Sequence, residues 1–408
     1  MTEMPETTPA SGVFTFPPTA AVQYGPGSLG RLGDLVRELG GERVFVVASA
    51  RDPEMHERLE AVLGDRLVGR FTGTEMHVPR ASVLAAAAAA RAAAADLVVS
   101  VGGGTQIDCA SGVCLALAAD ITTPEGFDAY RTRFTYPDDL VVPPAPPGVP
   151  PHLAVPTTLS GAESTNVFGI TDPERKVKDT YVGAEYAPRG IVFDPELTVD
   201  VPDWLWAASG IRAVDHAVEG MLSKRHMPMA DALGAEGLRI LRADLARSCE
   251  NPTDLAVRMQ CQLGAWLSVY ALTNVGAGLS HGLGHQLAAQ FGMLHGVTSA
   301  CMLPRVVEFN GDVTGAQLRR VGEAFDVADS RTPDEDVPAV TVAALDAFIR
   351  SFERFGVATT LEDAGARREE LADVADHALT DLAVAANPKP VTREALTALL
   401  ESAWTRPS

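Results

Sequence analysis

"ASVLAAAAAARAAAADLVVSVGGGTQIDCASG", residues 81–112, decides the architecture of this chain. Its alanine-rich first half reads as a packed helix with a small face, because alanine gives up no side-chain freedom on helix formation. At Asp96 it hands over abruptly to "LVVSV" (Leu97 to Val101), a run of the kind buried on both faces of a parallel sheet. Three glycines, Gly102 to Gly104, then turn the chain into a second helical stretch. Helix, strand, glycine turn and helix in that order predict a βαβ layer.

The same rhythm extends in both directions. Upstream, the amphipathic "LGRLGDLVRELGG" ends in the glycines expected past a helix C-terminus, and "RVFVVAS" (Arg43 to Ser49) follows it as a strand. Downstream, "LAVPTTLSG" and "RGIVFDPEL" (Arg189 to Leu197) each end in the polar and turn-forming residues that a sheet presents at its C-terminal edge. From Ala119 to Pro150 the chain is polar and then proline-dense, as in "VVPPAPPGVPP", which predicts a surface insertion without helix or inner strand. After "VPDWLW" the periodicity is helical almost to the end. The expectation is an α/β dinucleotide-binding domain with a parallel sheet over residues 14–199, an all-helical domain over 200–408, and a disordered N-terminus at 1–13. Two domains imply a cleft, and 408 residues are long enough for both.

Composition excludes several classes of function. A formal net charge of -20, with no basic stripe to offset it, argues against binding nucleic acid or an anionic membrane surface. No apolar run reaches the length of a membrane span, and "MTEMPETTPASG" lacks the basic and apolar regions of a secretory signal, so the cytoplasm is the expected location. Five dispersed cysteines form no C-x-x-C pair and are expected to be small buried hydrophobes. A small molecule is the expected partner.

The glycine triplet suits the close approach of a diphosphate, with free N–H groups and the positive end of a dipole at the following helix N-terminus. Its spacing is not G-x-G-x-x-G, so a tight turn serving only to join strand and helix is the competing reading, and Thr105 and Asp108 are equally placed to be caps. "PTTLSGAEST" (Pro156 to Thr165) gathers hydroxyls and a carboxylate after a strand, either as caps or as ligand contacts. "LSHGLGHQLAAQFGMLHG" (Leu279 to Gly296) holds His281 and His285 at i and i+4, on one helical face, and His295 beyond Gly292. With His216 of "AASGIRAVDHAVEG", three chain segments offer imidazoles that suit a shared ion or substrate, or else serve as ordinary structural histidines.

Taken together, the glycine triplet, "PTTLSGAEST", "FDPEL", "SGIRAVDHAVEG", "HGLGHQLAAQFGMLHG" and "NPKPVT" fall in the order seen in the iron-containing, group III alcohol dehydrogenases. The chain resembles that family from about Phe14 to Trp404, and "PTTLSGAE" and "NPKP" look most like its maleylacetate reductase branch, which reduces an unsaturated oxo-dicarboxylate. The resemblance implies a nicotinamide dinucleotide, NAD or NADP, with its diphosphate on Gly102, Gly103 and Gly104, Thr105 and Asp108 at the same helix start, and Thr157, Thr158 and Lys178 near the ribose and nicotinamide. It also implies metal ligation, by Fe2+ or Zn2+, through His216, His281 and His295, a role for His285 in the proton path, and at least a homodimer.

Three departures bear on that picture. Arg212 stands where metal-dependent members have an aspartate one turn before the first histidine. A guanidinium about 4 Å from a divalent cation is repelled by roughly 8 kcal/mol at an effective dielectric near 20. Either Arg212 turns away to pair with Asp215 or Glu219, or the site is metal-free and Arg212 faces a carboxylate-bearing substrate; the metal-free site is the expectation. Ser111 replaces a lysine expected near the nicotinamide. Ser49 replaces the acid that binds ribose hydroxyls in NAD-preferring relatives, and with Arg51 nearby it opens the way to NADP. His281, His285 and Arg212 are the expected catalytic groups. The expected reaction is hydride transfer to the carbonyl of a small oxo compound. The alternatives are a lyase or cyclase with transient redox and no net cofactor turnover, as in dehydroquinate synthase, and a binding protein that has lost catalysis.

Overall fold

In this computed structural model, residues 12–50 and 53–406 are described. Strand β1 (Ala21–Tyr24) is followed by α1 (Leu32–Glu38), β2 (Val44–Ala48), α2 (Pro53–Leu63), β3 (Leu67–Phe71), α3 (Arg80–Ala92), β4 (Leu97–Gly102) and α4 (Gly104–Ala118). A short hairpin, β5 (Arg133–Thr135) and β6 (Asp139–Val141), precedes β7 (His152–Pro156). A second hairpin, β8 (Val167–Asp172) and β9 (Val177–Val182), precedes β10 (Gly190–Phe193). Six strands form one parallel sheet in the order β1-β10-β7-β4-β2-β3.

Both faces of that sheet are covered, which is why β2 and β4 are buried along their whole length. Val44, Val46, Leu97 and Val99 pack with Leu32, Leu35 and Leu59 of α1 and α2. Phe45, Val47 and Val98 point the other way, onto Val83, Ala86, Cys109 and Val113 of α3 and α4. Ala86, Ala87 and Ala90 are fully buried, so the alanine run sets how closely α3 lies on its neighbours. A larger side chain at any of them overpacks the layer, at a typical cost of about 1–3 kcal/mol. All five cysteines are free and buried.

From β2 the chain runs outward to β3, then returns across β2 to β4 and continues through β7 to β10. The winding reverses between β2 and β4, and open parallel sheets bind ligands in the crevice beyond the strand C-termini at such a point. Ser49 directly follows β2, and Gly102 to Gly104 lead from the end of β4 into α4.

The remaining helices are α5 (Asp203–Leu222), α6 (Pro228–Glu250), α7 (Leu255–Val275), α8 (Leu279–Phe291), α9 (His295–Asn310), α10 (Gly315–Ala324), α11 (Val337–Arg350), α12 (Leu371–Ala378) and α13 (Arg393–Ser402). Helix α5 is their centre: every residue from Trp206 to Leu222 is buried. No helix among the described residues is long and apolar enough to cross a membrane.

The segment expected to be a surface insertion is more than that. Ile121 and Phe127 are buried in the core of the α3 and α4 face, and Tyr136 packs against a cluster of the helical domain. Its prolines bar long elements but leave room for a hairpin and for aromatic anchors at both ends.

Candidate active site

The glycine loop lies at the winding reversal. Gly102 has φ 146°, and a Cβ there would fall 2.6 Å from the Gln106 side chain. That side chain caps α4 by accepting the Gly103 N–H at 3.1 Å, so the cap is Gln106 and neither Thr105 nor Asp108. The Thr157 N–H donates to the Gly102 carbonyl at 2.9 Å, which fastens the hydroxyl-rich loop to the glycine loop. The Thr158 Oγ1 and Ser160 Oγ lie 3.1 and 3.2 Å from where a Cβ on Gly103 or Gly104 would stand. The two loops therefore form one floor, with the N–H groups of α4 opening onto it. Ser49, at the end of β2, has its carbonyl 3.1 Å from the His56 Nε2, while Arg51 lies outside the described residues.

Lys178 reaches this floor from β9. Its Nζ donates to the Asp108 carboxylate at 3.0 Å and lies 3.4 Å from the His295 Nε2. The stem crosses β8 where Gly169 leaves space, since a Cβ on Gly169 would lie 2.0 Å from the Lys178 Cε. Asp108 thus serves to hold Lys178, and it also accepts the Gly169 N–H at 3.4 Å. Ser111 faces away from the floor: its Oγ and that of Ser100 flank the two ring nitrogens of buried His152, at 3.3 and 2.8 Å. The position expected near the nicotinamide is a core position here.

The histidines line the facing wall. The rings of His216 and His281 are 5.0 Å apart, those of His281 and His285 6.2 Å, and those of His285 and His295 5.4 Å. Burial pushes His216, His281 and His295 well below the ordinary histidine range, and neighbouring positive charge adds to it, with Asp215 and Asp381 opposing it at His281. Arg212 is buried among them. Its Nη1 donates to the Asp215 carboxylate at 3.4 Å and the Ser299 Oγ at 3.1 Å, and its Nη2 lies 3.5 Å from the His285 Nε2. It pairs with Asp215, one of the two partners expected for it, while its Nη2 lies towards His285.

Nothing in the sequence ties Asp381 or His77 to this site, and it marks Glu219 only as a partner for Arg212. The His285 Nδ1 donates to the Asp381 carboxylate at 2.9 Å, and Gln286 Nε2 and Ala383 N–H donate to the same group, each at 2.9 Å. Burial raises the Asp381 pKa, but its pairing with His285 and these bonds outweigh it and hold the carboxyl below its ordinary value. Glu219 accepts the His281 Nδ1–H at 2.7 Å and the backbone N–H groups of Gly278 and Ser280. His77 enters from the loop after β3, its ring 6.1 Å from that of His295 and its Nε2 buried without a hydrogen-bond partner.

A metal needs donor atoms gathered on one point. The His216 Nδ1, His281 Nε2 and His295 Nδ1 are buried and unpartnered. Among the described residues, however, the trio of potential ligand atoms lying within 4.8 Å of one another is Asp215, Glu219 and His281. The Asp215 Oδ2 already accepts Arg212, Ser280 and Ser299, and Glu219 accepts His281 and backbone N–H groups, while the Asp215 Oδ1 is buried without a partner. The three imidazoles form no such trio.

Comparison with known proteins places this geometry in a lineage. Residues 18–195 match the "Iron-containing alcohol dehydrogenase" family and residues 206–404 the C-terminal part of the "Fe-containing alcohol dehydrogenase family". Maleylacetate reductase 2 of Cupriavidus pinatubonensis is 32% identical over 388 residues, 94% of each chain. A crystal structure of a putative alcohol dehydrogenase from Ralstonia eutropha is 30% identical with a TM-score of 0.79, covering 98% of this chain and all of that one. A maleylacetate reductase structure from Agrobacterium tumefaciens is 26% identical with a TM-score of 0.77, covering 97% of this chain and 98% of that one. The chain belongs to the iron-containing alcohol dehydrogenase family, where it resembles the maleylacetate reductase branch, and is an NAD(P)-dependent oxidoreductase.

Proposed function

We propose that this protein is an NADH- or NADPH-dependent reductase of a small oxo compound bearing a carboxylate, with maleylacetate as the named substrate, and that it works without a metal. The observation that carries the reading is Arg212, a buried guanidinium 3.5 Å from the His285 Nε2 at the position where metal-dependent relatives hold an aspartate. A divalent cation does not fit beside it, and the imidazoles of His216, His281 and His295 do not converge on one point, so no step is routed through a metal.

Gly102, Gly103 and Gly104, with Thr105, Thr157, Thr158 and Ser49, would hold the dinucleotide, and Lys178, braced by Asp108, would serve its nicotinamide end. A bound reduced nicotinamide would supply the hydride, to either the carbonyl carbon or, in an unsaturated oxo acid, the far carbon of the conjugated double bond. Both routes move an electron pair onto the carbonyl oxygen. Arg212, buried beside His285, offsets that charge as a preorganised donor. His285 supplies the proton from Nε2, while Asp381 takes its Nδ1–H and balances the imidazolium. His281, its Nδ1 spent on Glu219, packs between His216 and His285 and fixes the wall.

The test is consumption of NADH or NADPH by the full-length protein with maleylacetate, with the product identified by mass spectrometry. Loss of reduced nicotinamide with formation of the saturated oxo acid or the hydroxy acid supports the reading and tells which carbon received hydride. Folded protein that consumes no reduced nicotinamide, or that yields product without net cofactor turnover, overturns it. The second outcome is the one a transient-redox lyase gives.

A further inference from the structure

The segment between residues 119 and 150 has a role in this site that its distance along the chain hides. We propose that the β5–β6 hairpin is a brace that positions the proton donor, with Tyr136 as the positioning residue that acts through Asp381 on His285. This rests on the reading of His285 as proton donor.

The hairpin is tied at both ends. At its start, the Thr132 N–H donates to the Thr180 carbonyl at 2.7 Å, on β9, two residues from Lys178. At its turn, the Tyr136 N–H donates to the Leu379 carbonyl at 3.1 Å, and the Tyr136 hydroxyl accepts the Val391 N–H at 3.2 Å. Tyr136 therefore staples both ends of the Leu379–Val391 segment, which carries Asp381 and the "NPKPV" run.

That segment needs external support. It consists of a short 3-10 turn (Leu382–Ala386) and irregular chain, with no sheet ladder to hold it. It is pressed on α8 so closely that a Cβ on Gly282 would lie 2.5 Å from the Val384 side chain. Asn387 ties its far end to Asn310 of α9 at 2.9 and 3.1 Å. Tyr136 holds the near end, two residues before Asp381. A carboxylate that fixes the orientation of a reacting imidazole must be placed within about half an ångström, a demand met only when its supporting residues are themselves locked. The brace also links the strand of Lys178 to the segment of Asp381, so the two walls of the cleft are held in one frame.

The experiment is a double-mutant cycle on the full-length enzyme, with kcat, KM and dinucleotide affinity measured for wild type, Tyr136→Ala, Asp381→Asn and the pair. Tyr136→Phe is a milder probe that removes the hydroxyl bond and keeps the ring. Partners that orient a reacting group are commonly worth about 10–100-fold, so Asp381→Asn is expected to lower kcat by about that amount and Tyr136→Ala by about tenfold. Dinucleotide affinity should stay within about twofold. In the Asp381→Asn background, Tyr136→Ala should cost less than about twofold, because a residue acting through Asp381 has nothing left to position.

Equal fold-losses from Tyr136→Ala in both backgrounds overturn the proposal, as does an unchanged kcat with only a lowered melting temperature. If Tyr136→Ala does not fold, Tyr136→Phe decides by the same criterion, with about threefold as its expected effect. Failure of the underlying reading looks different: Asp381→Asn and His285→Ala would then each leave kcat at the wild-type value.

Discussion

Replacing Arg212 by methionine keeps the length and apolar stem of the side chain and removes the charge. Two consequences follow from its contacts. The oxygen that gains charge during reduction loses its cationic partner, and removing one preorganised donor of this kind costs about 10²–10³ in kcat, roughly 3–4 kcal/mol. Asp215 loses one buried partner but keeps the hydroxyl donors Ser280 at 2.9 Å and Ser299 at 2.5 Å. Stability should therefore fall by less than the roughly 3–5 kcal/mol typical of breaking a buried pair, about 1–3 kcal/mol. If about 200 residues unfold as one unit, that is a drop in Tm of about 3–10 °C. Steady-state reduction of maleylacetate, followed by nicotinamide absorbance, gives kcat and KM; nicotinamide fluorescence gives cofactor affinity; calorimetry gives Tm. Arg212→Lys keeps the charge but loses the fork, and should recover part of the rate. A folded Arg212→Met enzyme with kcat within about threefold of wild type would refute the reasoning, because a group bearing the developing charge cannot be removed at so small a cost.

Two further outcomes follow from the geometry. Gly169→Ala drives a methyl into the path of Lys178, whose flexible end can move aside, so Tm should shift by no more than about 2 °C while kcat/KM falls about tenfold; a larger loss of stability with unchanged kcat/KM would contradict the role of Lys178. Glu163 is buried with its Oε2 unpartnered, and burial raises its pKa from 4.5 to about 7. The native state then holds this proton more tightly than the unfolded chain, so the group's contribution is fully present below pH 4.5 and is lost as pH rises to about 7. Glu163→Gln should accordingly gain stability relative to wild type on going from pH 5 to pH 8, by at most about 3 kcal/mol, in paired chemical denaturation curves; parallel pH dependences would count against it.

The sheet was legible because β2 and β4, covered on both faces, need continuous apolar runs, and the glycines mark where the chain leaves β4. Helical periodicity likewise placed Asp215 and Glu219 within reach of Arg212, since residues three and seven apart share a face. The β8–β9 hairpin escaped notice because "VKDTYV" mixes charge with β-branched residues on a strand paired only to its neighbour. Asp381 had a local signal, as an aspartate whose side chain accepts the Ala383 N–H, but nothing in that signal names His285, which lies 96 positions earlier. Tyr136, in a segment whose prolines read as surface, was hidden for the same reason. His77 takes φ 64° and the β-branched Val78 φ 55°, backbone that no residue type there announces. What was missed depends on chain segments meeting in space, and what was read depends on burial along one segment.

The central claim is that Arg212, and no metal, meets the charge on the substrate oxygen. Metal content by ICP-MS on untagged protein purified without chelator, with activity measured before and after EDTA, tests it most directly. Less than about 0.1 equivalent of iron or zinc, with full activity after chelation, is the predicted result. About one equivalent of metal, with activity lost on chelation and restored by adding the ion back, would contradict the account and return His216, His281 and His295 to the role of ligands.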